Sequence, residues 1–493
     1  MRDYNPKRRT AVVFTGSGSA GAYHAGALRA LDESGVKIDL VVGSGVGTLA
    51  AAFSAVAGGN KLYGKGGFWH GLSWASLYRL RPALRVGLTL LAAAFAVFLL
   101  PLMLALLRGL LFPLALIVDL ASPGLASRLL DGIATTPESL RGPYLAALAA
   151  PVFVLALLAL VAAVRLVLKR RRAVEAFESI LDVENGRRRL ARALWEVGRG
   201  PTISDRPPSE TELSKRFVSL LGENLGQPGF RELILRVADL ETGRALPFVL
   251  LDDAHRASFA AARSRGPRAR IEGLASAVDL RAPGHDTLLF DAVVTGILPT
   301  LAVSARRVSF PRGGLHGGET HRLADACLVA GCGVAEAVAA GAEQVIVVSA
   351  TPESASLPPR RRGPKALADA VYATLERQAV DPEIAEVDRI NRLVETLGHR
   401  TEDGGRAWQD PVTGRLYRTL PVYVLRPERR ALGPLELDGA LDPASEVEET
   451  LEDLMERGYR DAYRLFVEPV VGSAPEPRQR EMEEHEEGQP VEL

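Results

Sequence analysis

The sequence predicts an α/β fold in which a sheet is flanked by helices and interrupted by an inserted two-helix transmembrane hairpin. Short apolar runs alternate with longer runs of helical periodicity, the arrangement expected when helices cover both faces of a sheet. The apolar, β-branched run Gln344 to Ala350 is typical of a buried parallel strand. Two long runs without a charged residue predict the hairpin.

The first elements surround two glycine-rich turns. Thr10 to Phe14 predicts a short buried strand, and Ala22 to Ser34 predicts a helix that stops at Gly35. Ile38 to Val42 predicts the second strand. A sharp turn follows it and leads into the helical run Thr48 to Phe53.

The later elements continue the alternation. Ala173 to Val197 predicts an amphipathic helix, and Glu232 to Leu251 predicts two strands joined by a hairpin turn. Leu420 to Leu425 predicts another strand. Ser445 to Phe466 predicts a final helix that Ser445 could cap. From Gly472 onward the chain is polar and acidic, which predicts a disordered tail.

Two uncharged runs predict membrane spans. Val86 to Leu107 and Tyr144 to Val164 are each as long as the roughly 20 apolar residues that a helical span needs. Pro101 and Pro151 are tolerable there, because neighbouring groups can satisfy the freed carbonyls. Soluble helices rarely lack charge over such a length. We therefore expect integral membrane association through a helical hairpin.

Basic residues flank the hairpin on both outer sides. Arg79, Arg81 and Arg85 precede the first run, and a basic cluster from Arg165 to Arg172 closes the second. By the positive-inside rule, both outer flanks are cytoplasmic. The sequence therefore predicts a membrane protein with two spans, whose soluble portion is cytoplasmic and contacts membrane lipid.

Composition excludes several other classes of protein. Lysine and arginine number 59 against 59 aspartate and glutamate, and this balance argues against a nucleic-acid-binding protein. Cys327 and Cys332 are the two cysteines, so no disulfide framework exists, and their spacing does not predict a zinc site. We expect no metal site and no cofactor, and the sequence does not indicate a protein partner.

The first glycine-rich turn has two interpretations. Gly16, Gly18 and Gly21 match G-x-G-x-x-G between a strand and a helix. A dinucleotide-binding loop would need an acidic residue at the end of the second strand, but Asp39 lies at its start. A loop whose amides stabilise an oxyanion is the favoured interpretation, since a second glycine-rich turn follows the adjacent strand.

That second turn has the layout of a nucleophile elbow. The elbow motif G-x-S-x-G places a serine on a sharp turn between a strand and a helix. Gly43 and Gly47 are the flanking glycines here, so the nucleophile position is residue 45, which is a glycine. Glycine suits this strained position, because it accepts a positive φ freely.

Three segments together resemble the patatin-like phospholipase family. They are Thr15 to Gly26, Val42 to Gly47 and Asp325-Ala326-Cys327, which are similar to the family's oxyanion loop, elbow and aspartate motif. Phe290 to Pro299 and Ala335 to Ala350 resemble the segments on either side of that aspartate. The resemblance implies a patatin-like sheet in residues 1–80 and 173–470, the hairpin insertion in 81–172 and the tail in 471–493.

The resemblance also implies a chemistry. Enzymes of this family hydrolyse lipid acyl esters with a serine and an aspartate and without histidine. Asp325 then takes the place of the base. The backbone of the oxyanion loop, at Gly16, Ser17, Gly18 and Ser19, takes the place that holds the oxyanion. His24 follows the loop, and we interpret it as a packed side chain.

Three departures from the family pattern put catalysis in doubt. Gly45 carries no side chain, Ala20 stands where the family has arginine or lysine, and Cys327 stands where it has glycine or alanine. Ser44 is a poor substitute, because its neighbours two residues away are valines and its side chain should point away from the elbow tip. We therefore expect an impaired or inactive lipid acyl hydrolase, or a pseudoenzyme that binds lipid or a partner protein without turnover.

Overall fold

The chain folds into two units, of which the first contains a large sheet. The computed structural model describes residues 4–121, 149–150, 153–154, 157, 181–199, 206–264, 277–299, 303–313, 316–352, 364–401, 406–412, 414, 416–429, 432–441 and 447–472. The first unit comprises Met1–Tyr78, Val183–Leu301 and Ala305–Leu493, and the second comprises Arg79–Asp182 and Ala302–Ser304.

The strands and helices are numbered in chain order. The strands are β1 (Thr10–Gly16), β2 (Leu40–Gly45), β3 (Arg79–Leu80), β4 (Leu181–Asp182), β5 (Glu232–Asp239), β6 (Arg244–Leu250), β7 (Val278–Asp279), β8 (Arg306–Ser309), β9 (Thr320–Ala324), β10 (Gln344–Ser349), β11 (His399–Arg400), β12 (Arg406–Gln409), β13 (Leu416–Arg418), β14 (Val422–Leu425), β15 (Ala440–Leu441) and β16 (Glu448–Glu449). The helices are α1 (Ala20–Glu33), α2 (Gly47–Ala55), α3 (Asn60–Tyr63), α4 (Trp74–Leu77), α5 (Pro82–Ala121), α6 (Glu184–Gly198), α7 (Glu210–Asn224), α8 (Asp253–Ser264), α9 (Leu289–Gly296), α10 (Val334–Ala339), α11 (Pro364–Leu397) and α12 (Leu451–Ala462).

The main sheet has the order β14-β10-β1-β2-β5-β6-β7. The strands from β14 to β5 run parallel, whereas β6 is antiparallel to β5. A hairpin of β8 and β9 joins the sheet where β9 pairs with the end of β5. The molecule is therefore a mixed α/β protein with a parallel sheet flanked by helices.

Burial explains why the central strands are almost purely apolar. β1, β2 and β10 are buried along their whole length. Strands covered on both faces lose the alternation of polar and apolar residues that half-exposed strands show. On one face, Val13, Val42 and Val347 pack with Val334 of α10 and Val380 of α11.

The parallel register brings the two glycine-rich turns together. Gly16 at the end of β1 lies opposite Gly45 at the end of β2. Ligand sites in parallel sheets form where neighbouring strands end and their loops diverge. The two turns that the sequence singles out therefore share one edge of the sheet.

The last helix begins later than the sequence predicts. α12 starts at Leu451, and its cap is Thr450 and not Ser445. The hydroxyl of Thr450 accepts from the Asp453 amide, and the Asp453 carboxylate accepts from the Thr450 amide. This reciprocal pair satisfies two free amides at the helix start. Residues 442–446 and the acidic tail from residue 473 lie outside the described residues.

The second unit includes a short strand pair and a long helix. β3 and β4 are antiparallel, with Leu80 opposite Leu181. α5 contains the whole first predicted span and continues through Arg108. The second predicted span, 144–164, lies almost entirely outside the described residues.

The predicted transmembrane hairpin is wrong. Among the helices in the described part of the chain, none is both long enough and apolar enough to cross a membrane. Three predictions that depended on the hairpin are wrong as well. They are integral membrane association, the location with two spans and the cytoplasmic placement derived from the basic flanks. The prediction rested on the length and apolar composition of two runs, and these two properties do not identify what surrounds a helix.

Candidate functional site

The turn after β2 has the backbone of an elbow. β2 ends at Gly45, and α2 begins two residues later at Gly47. Gly45 has φ +62°, in the left-handed region that glycine adopts without strain. The Val46 amide donates to the Gly16 carbonyl at 2.8 Å and so ties this turn to the end of β1.

Gly45 lies directly against Asp325. A Cβ at position 45 would lie 2.7 Å from Asp325 Oδ1 and 2.3 Å from the Gly16 carbonyl oxygen. A side chain at the elbow would therefore point at the aspartate that the sequence identifies as the base. The same geometry leaves no space for that side chain unless the backbone at Gly16 shifts.

Asp325 is a buried carboxyl group at the end of β9. It accepts a hydrogen bond from the Cys327 amide on Oδ1 at 2.9 Å and from the Ser17 hydroxyl on Oδ2 at 2.7 Å. Burial, together with the nearby Glu376 charge, raises the pKa of Asp325 to about 7 against the opposing effect of these two donors. A carboxyl group with such a pKa can both take and return a proton near neutral pH.

Ser17 contacts two acids. Its hydroxyl donates to Asp325, while its amide donates to Glu376 Oε1 at 2.7 Å. Glu376 lies on α11 and also accepts from the Thr351 hydroxyl at 2.6 Å. The glycine-rich loop thus supplies the hydroxyl group bound to Asp325.

The amides of the predicted oxyanion loop are only partly available. The Ser17 amide is bound to Glu376, and the Ser19 amide donates to the Pro434 carbonyl at 2.9 Å. Among the residues that the structure describes, nothing accepts a hydrogen bond from the Gly18 amide. Gly18 is therefore the amide that could face an oxyanion without first breaking a bond.

The cavity beside Ser17 and Asp325 is small. Its walls come from several segments of the first unit, and they are Ser17, Gly18, Tyr78, Gly296, Ile297, Leu298, Pro299, Asp325, Tyr372, Pro434 and Leu435. The centre of a water molecule can move over only about 10 Å³ in it. That is room for about one water, so an acyl chain needs the walls to move.

Ser44 is not among the residues that line this cavity. Its hydroxyl accepts from Arg236 Nη1 at 3.4 Å. Arg236 is buried and forms an ion pair with Glu336 at 3.2 Å. The structure therefore brings the Ser44 hydroxyl to Arg236 and not to Asp325.

His24 packs inside the protein. Nε2 donates to the Thr15 carbonyl at 3.0 Å, and the ring lies against Phe14. Burial lowers the pKa of His24 to about 4. The ring is therefore neutral at physiological pH.

Sequence reasoning missed Glu376. Nothing near residue 376 resembles a motif, and Ser17 precedes it by 359 residues. The available signal is spacing: Glu376 and Glu383 are seven residues apart and therefore lie on one face of a helix. Glu383 accepts from the amides of Cys332, Gly333 and Ala335, so this face of α11 binds backbone amides at two places.

Comparisons with known proteins leave the family open. No protein-family profile matches the sequence, and no curated protein matches it. Among solved structures, VipD from Legionella pneumophila is similar at 13% identity and a TM-score of 0.31, over 93% of this chain and 67% of that one. A likeness at this level carries no functional argument.

Proposed function

We propose that this protein is a lipid acyl-ester hydrolase of the patatin-like type, with strongly impaired activity, in which Ser17 and Asp325 form the reacting pair. The observation that carries the proposal is the 2.7 Å hydrogen bond from the Ser17 hydroxyl to Asp325 Oδ2. Gly45 offers no hydroxyl group, and Ser44 bonds to Arg236. Ser17 is therefore the hydroxyl group that contacts Asp325.

The reaction follows from this contact. Asp325 takes the hydroxyl proton as Ser17 Oγ bonds to the ester carbonyl carbon. The alcohol then leaves with that proton as its bond to the carbonyl carbon breaks. Water next attacks the acyl group on Ser17, its proton passes through Asp325 back to Ser17 Oγ, and the fatty acid leaves.

Two features support slow turnover. Of the loop amides, those of Ser17 and Ser19 already bind Glu376 and Pro434. Removing one oxyanion donor costs roughly 100- to 1000-fold in rate. The cavity must also open before a lipid ester can reach Ser17.

Hydrolysis of a soluble short-chain acyl ester and of a phospholipid tests the proposal. We expect slow release of acid by the unmodified chain. Ser17→Ala and Asp325→Asn should each lower the rate by about 100-fold, the scale of base catalysis. The rate should rise with pH through about 7, because Asp325 must be ionised to accept the proton.

Ser44→Ala is the matched control. Ser44 is also a buried serine, but it bonds to Arg236, so its loss should leave the rate unchanged. Circular dichroism checks that every variant is folded. Full activity in folded Ser17→Ala, or loss of activity in Ser44→Ala alone, would show that the reacting pair is wrong.

A second candidate is a pseudoenzyme that binds lipid or a partner protein without turnover. The small cavity and the bound amides of Ser17 and Ser19 favour it. It predicts no acid release above buffer by the unmodified chain or by any of the three variants. Measurable hydrolysis that depends on Ser17 and Asp325 would exclude it.

A further inference from the structure

A second group of ionisable side chains lies around β9, the strand that ends just before Asp325. Asp239, His316 and His321 place one ligand atom each within 4.8 Å of one another. Asp239 ends β5, His321 belongs to β9, and His316 lies in the turn between β8 and β9. Residues distant in sequence thus converge at one point beside the sheet.

His321 has a carboxylate at each ring nitrogen. Asp239 Oδ2 lies 2.8 Å from Nδ1, and Glu319 Oε2 lies 3.0 Å from Nε2. A neutral imidazole has one N–H, so it can donate to only one of these two carboxylates. Both contacts are hydrogen bonds only when the ring or one carboxyl group carries an additional proton, and a metal ion at one ring nitrogen can take the place of that proton.

His316 supplies a second imidazole with an unusual backbone. Its φ is +58°, which is uncommon for a residue other than glycine and costs about 1–3 kcal/mol. In that conformation the His316 ring centroid lies 4.1 Å from that of His321, and Nδ1 lies 3.7 Å from Glu319 Oε2. Such backbone strain gathers at functional sites.

The turn that carries His316 is held in place. The Phe310 amide donates to the Glu319 carbonyl at 2.9 Å, and the Glu319 amide donates to the His316 carbonyl at 2.9 Å. The Phe310 ring packs against both histidine rings at 5.3 Å. The two imidazoles are therefore fixed before any ligand arrives.

A comparable cluster elsewhere lacks the same charge balance. Glu232, Asp252 and His255 also gather within reach of one another, but Arg9 Nη2 lies 2.6 Å from Glu232 Oε2. That guanidinium already supplies the positive charge. Among the described residues, no lysine or arginine forms an ion pair with Asp239 or Glu319.

We propose that Asp239, His316 and His321 bind one divalent transition-metal ion, for which Zn²⁺ is the best match, with water completing the coordination. Two imidazoles and a carboxylate are a common zinc ligand set. Ligands on tetrahedral zinc lie about 3.4 Å apart, so a pair at the 4.8 Å limit must close by about 1.4 Å, whereas Asp239 Oδ2 and His321 Nδ1, at 2.8 Å, must separate by about 0.6 Å. The ion displaces the proton between His321 and Asp239 and clamps the β8–β9 hairpin to β5.

Metal titration of the full chain tests the site. After dialysis against a chelator, Zn²⁺ should bind at one ion per chain by calorimetry and raise the melting temperature. Co²⁺ should give the visible absorption of a tetrahedral site, and Zn²⁺ should abolish it. His316→Ala should weaken Zn²⁺ binding by more than about 100-fold, since even partners outside the coordination shell contribute 10- to 100-fold.

His255→Ala is the matched control in the comparable cluster, and it should leave Zn²⁺ binding unchanged. Because His321 is buried and its loss could unfold the chain, Glu319→Gln at the exposed rim provides a second variant. It should lower the affinity by a smaller factor than His316→Ala. No binding to the folded chain, or binding that depends on His255 and not on His316, would overturn the proposal.

Discussion

At residue 45 a single missing side chain has two consequences. The absence of Cβ removes the hydroxyl group expected at an elbow, and it also lets the turn close against Gly16 and Asp325. The turn has adapted to glycine, because a Cβ would lie 2.3 Å from the Gly16 carbonyl oxygen. A serine introduced at this position would therefore meet the backbone before it could react.

Gly45→Ala measures this adaptation. We expect the free energy of unfolding to fall by about 2–5 kcal/mol, from about 1–2 kcal/mol of left-handed strain and about 1–3 kcal/mol of overpacking. Gly35→Ala is the matched control, because Gly35 has φ +65° and its Cβ would meet nothing within 4 Å. Gly35→Ala should lower the free energy of unfolding only by the left-handed strain of about 1–2 kcal/mol. Equal losses in urea denaturation would contradict the tight fit at Gly45.

The residue scale also shows what a motif can and cannot predict. Gly45 and Asp325 could be placed at one site from the sequence, because the family that the elbow and the aspartate motif resemble pairs these two motifs. The hydroxyl of Ser17 could not be assigned, since the direction of a loop side chain depends on backbone angles that a glycine-rich sequence leaves free. The cluster at His316 was missed because its three residues come from a turn, from β9 and from β5, without a recognisable spacing.

Among the elements, α11 contributes most to the site without any sequence motif. The Glu376 carboxylate accepts a hydrogen bond from the Ser17 amide. The Glu383 carboxylate accepts hydrogen bonds from three backbone amides, two just before α10 and one in its first turn. A carboxylate at a helix start compensates both the free amides and the helix dipole. The apolar central strands could be predicted from composition, whereas a long, largely polar helix such as α11 lacks that signal.

Glu383→Gln tests the role of α11. The amide side chain keeps the size but loses the charge, so we expect the free energy of unfolding to fall by about 1–3 kcal/mol. Glu386→Gln on the same helix is the control. Glu386 is exposed and pairs with Arg389, and an exposed pair contributes about 0–1 kcal/mol. Equal effects of the two changes on thermal unfolding would contradict the capping role.

At the scale of the whole molecule, the long segment of the second unit, Arg79–Asp182, begins and ends in one strand pair. β3 and β4 place Leu80 opposite Leu181, so the chain returns to the point from which it departed. The error in the predicted hairpin belongs to this scale. Composition predicted an apolar segment at Val86 to Leu107, and this segment lies in α5. What surrounds such a segment depends on the fold of the rest of the chain, which its own residues do not specify.

Excision of residues 81–180 tests whether the first unit folds alone. An Asn-Gly turn can join Leu80 to Leu181, because a two-residue turn connects antiparallel neighbours. We expect the shortened chain to keep the far-ultraviolet circular-dichroism signal of its sheet and to unfold cooperatively on heating. Deletion of α11 is the contrasting control and should prevent folding. A shortened chain that fails to melt cooperatively would show that the first unit depends on the insertion.

The contact between Ser19 and the segment at Gly433 has a consequence for biosynthesis. The Ser19 hydroxyl donates to the Gly433 carbonyl at 2.8 Å, across 414 residues of chain. At about 5–20 residues per second, a ribosome needs roughly 20–80 s to make the residues between them. During that interval the Ser19 hydroxyl cannot form its bond to Gly433, although Asp325 and Glu376, the partners of Ser17, are made earlier. The part of the cavity wall formed by Pro434 and Leu435 is thus among the last parts of the protein to be made.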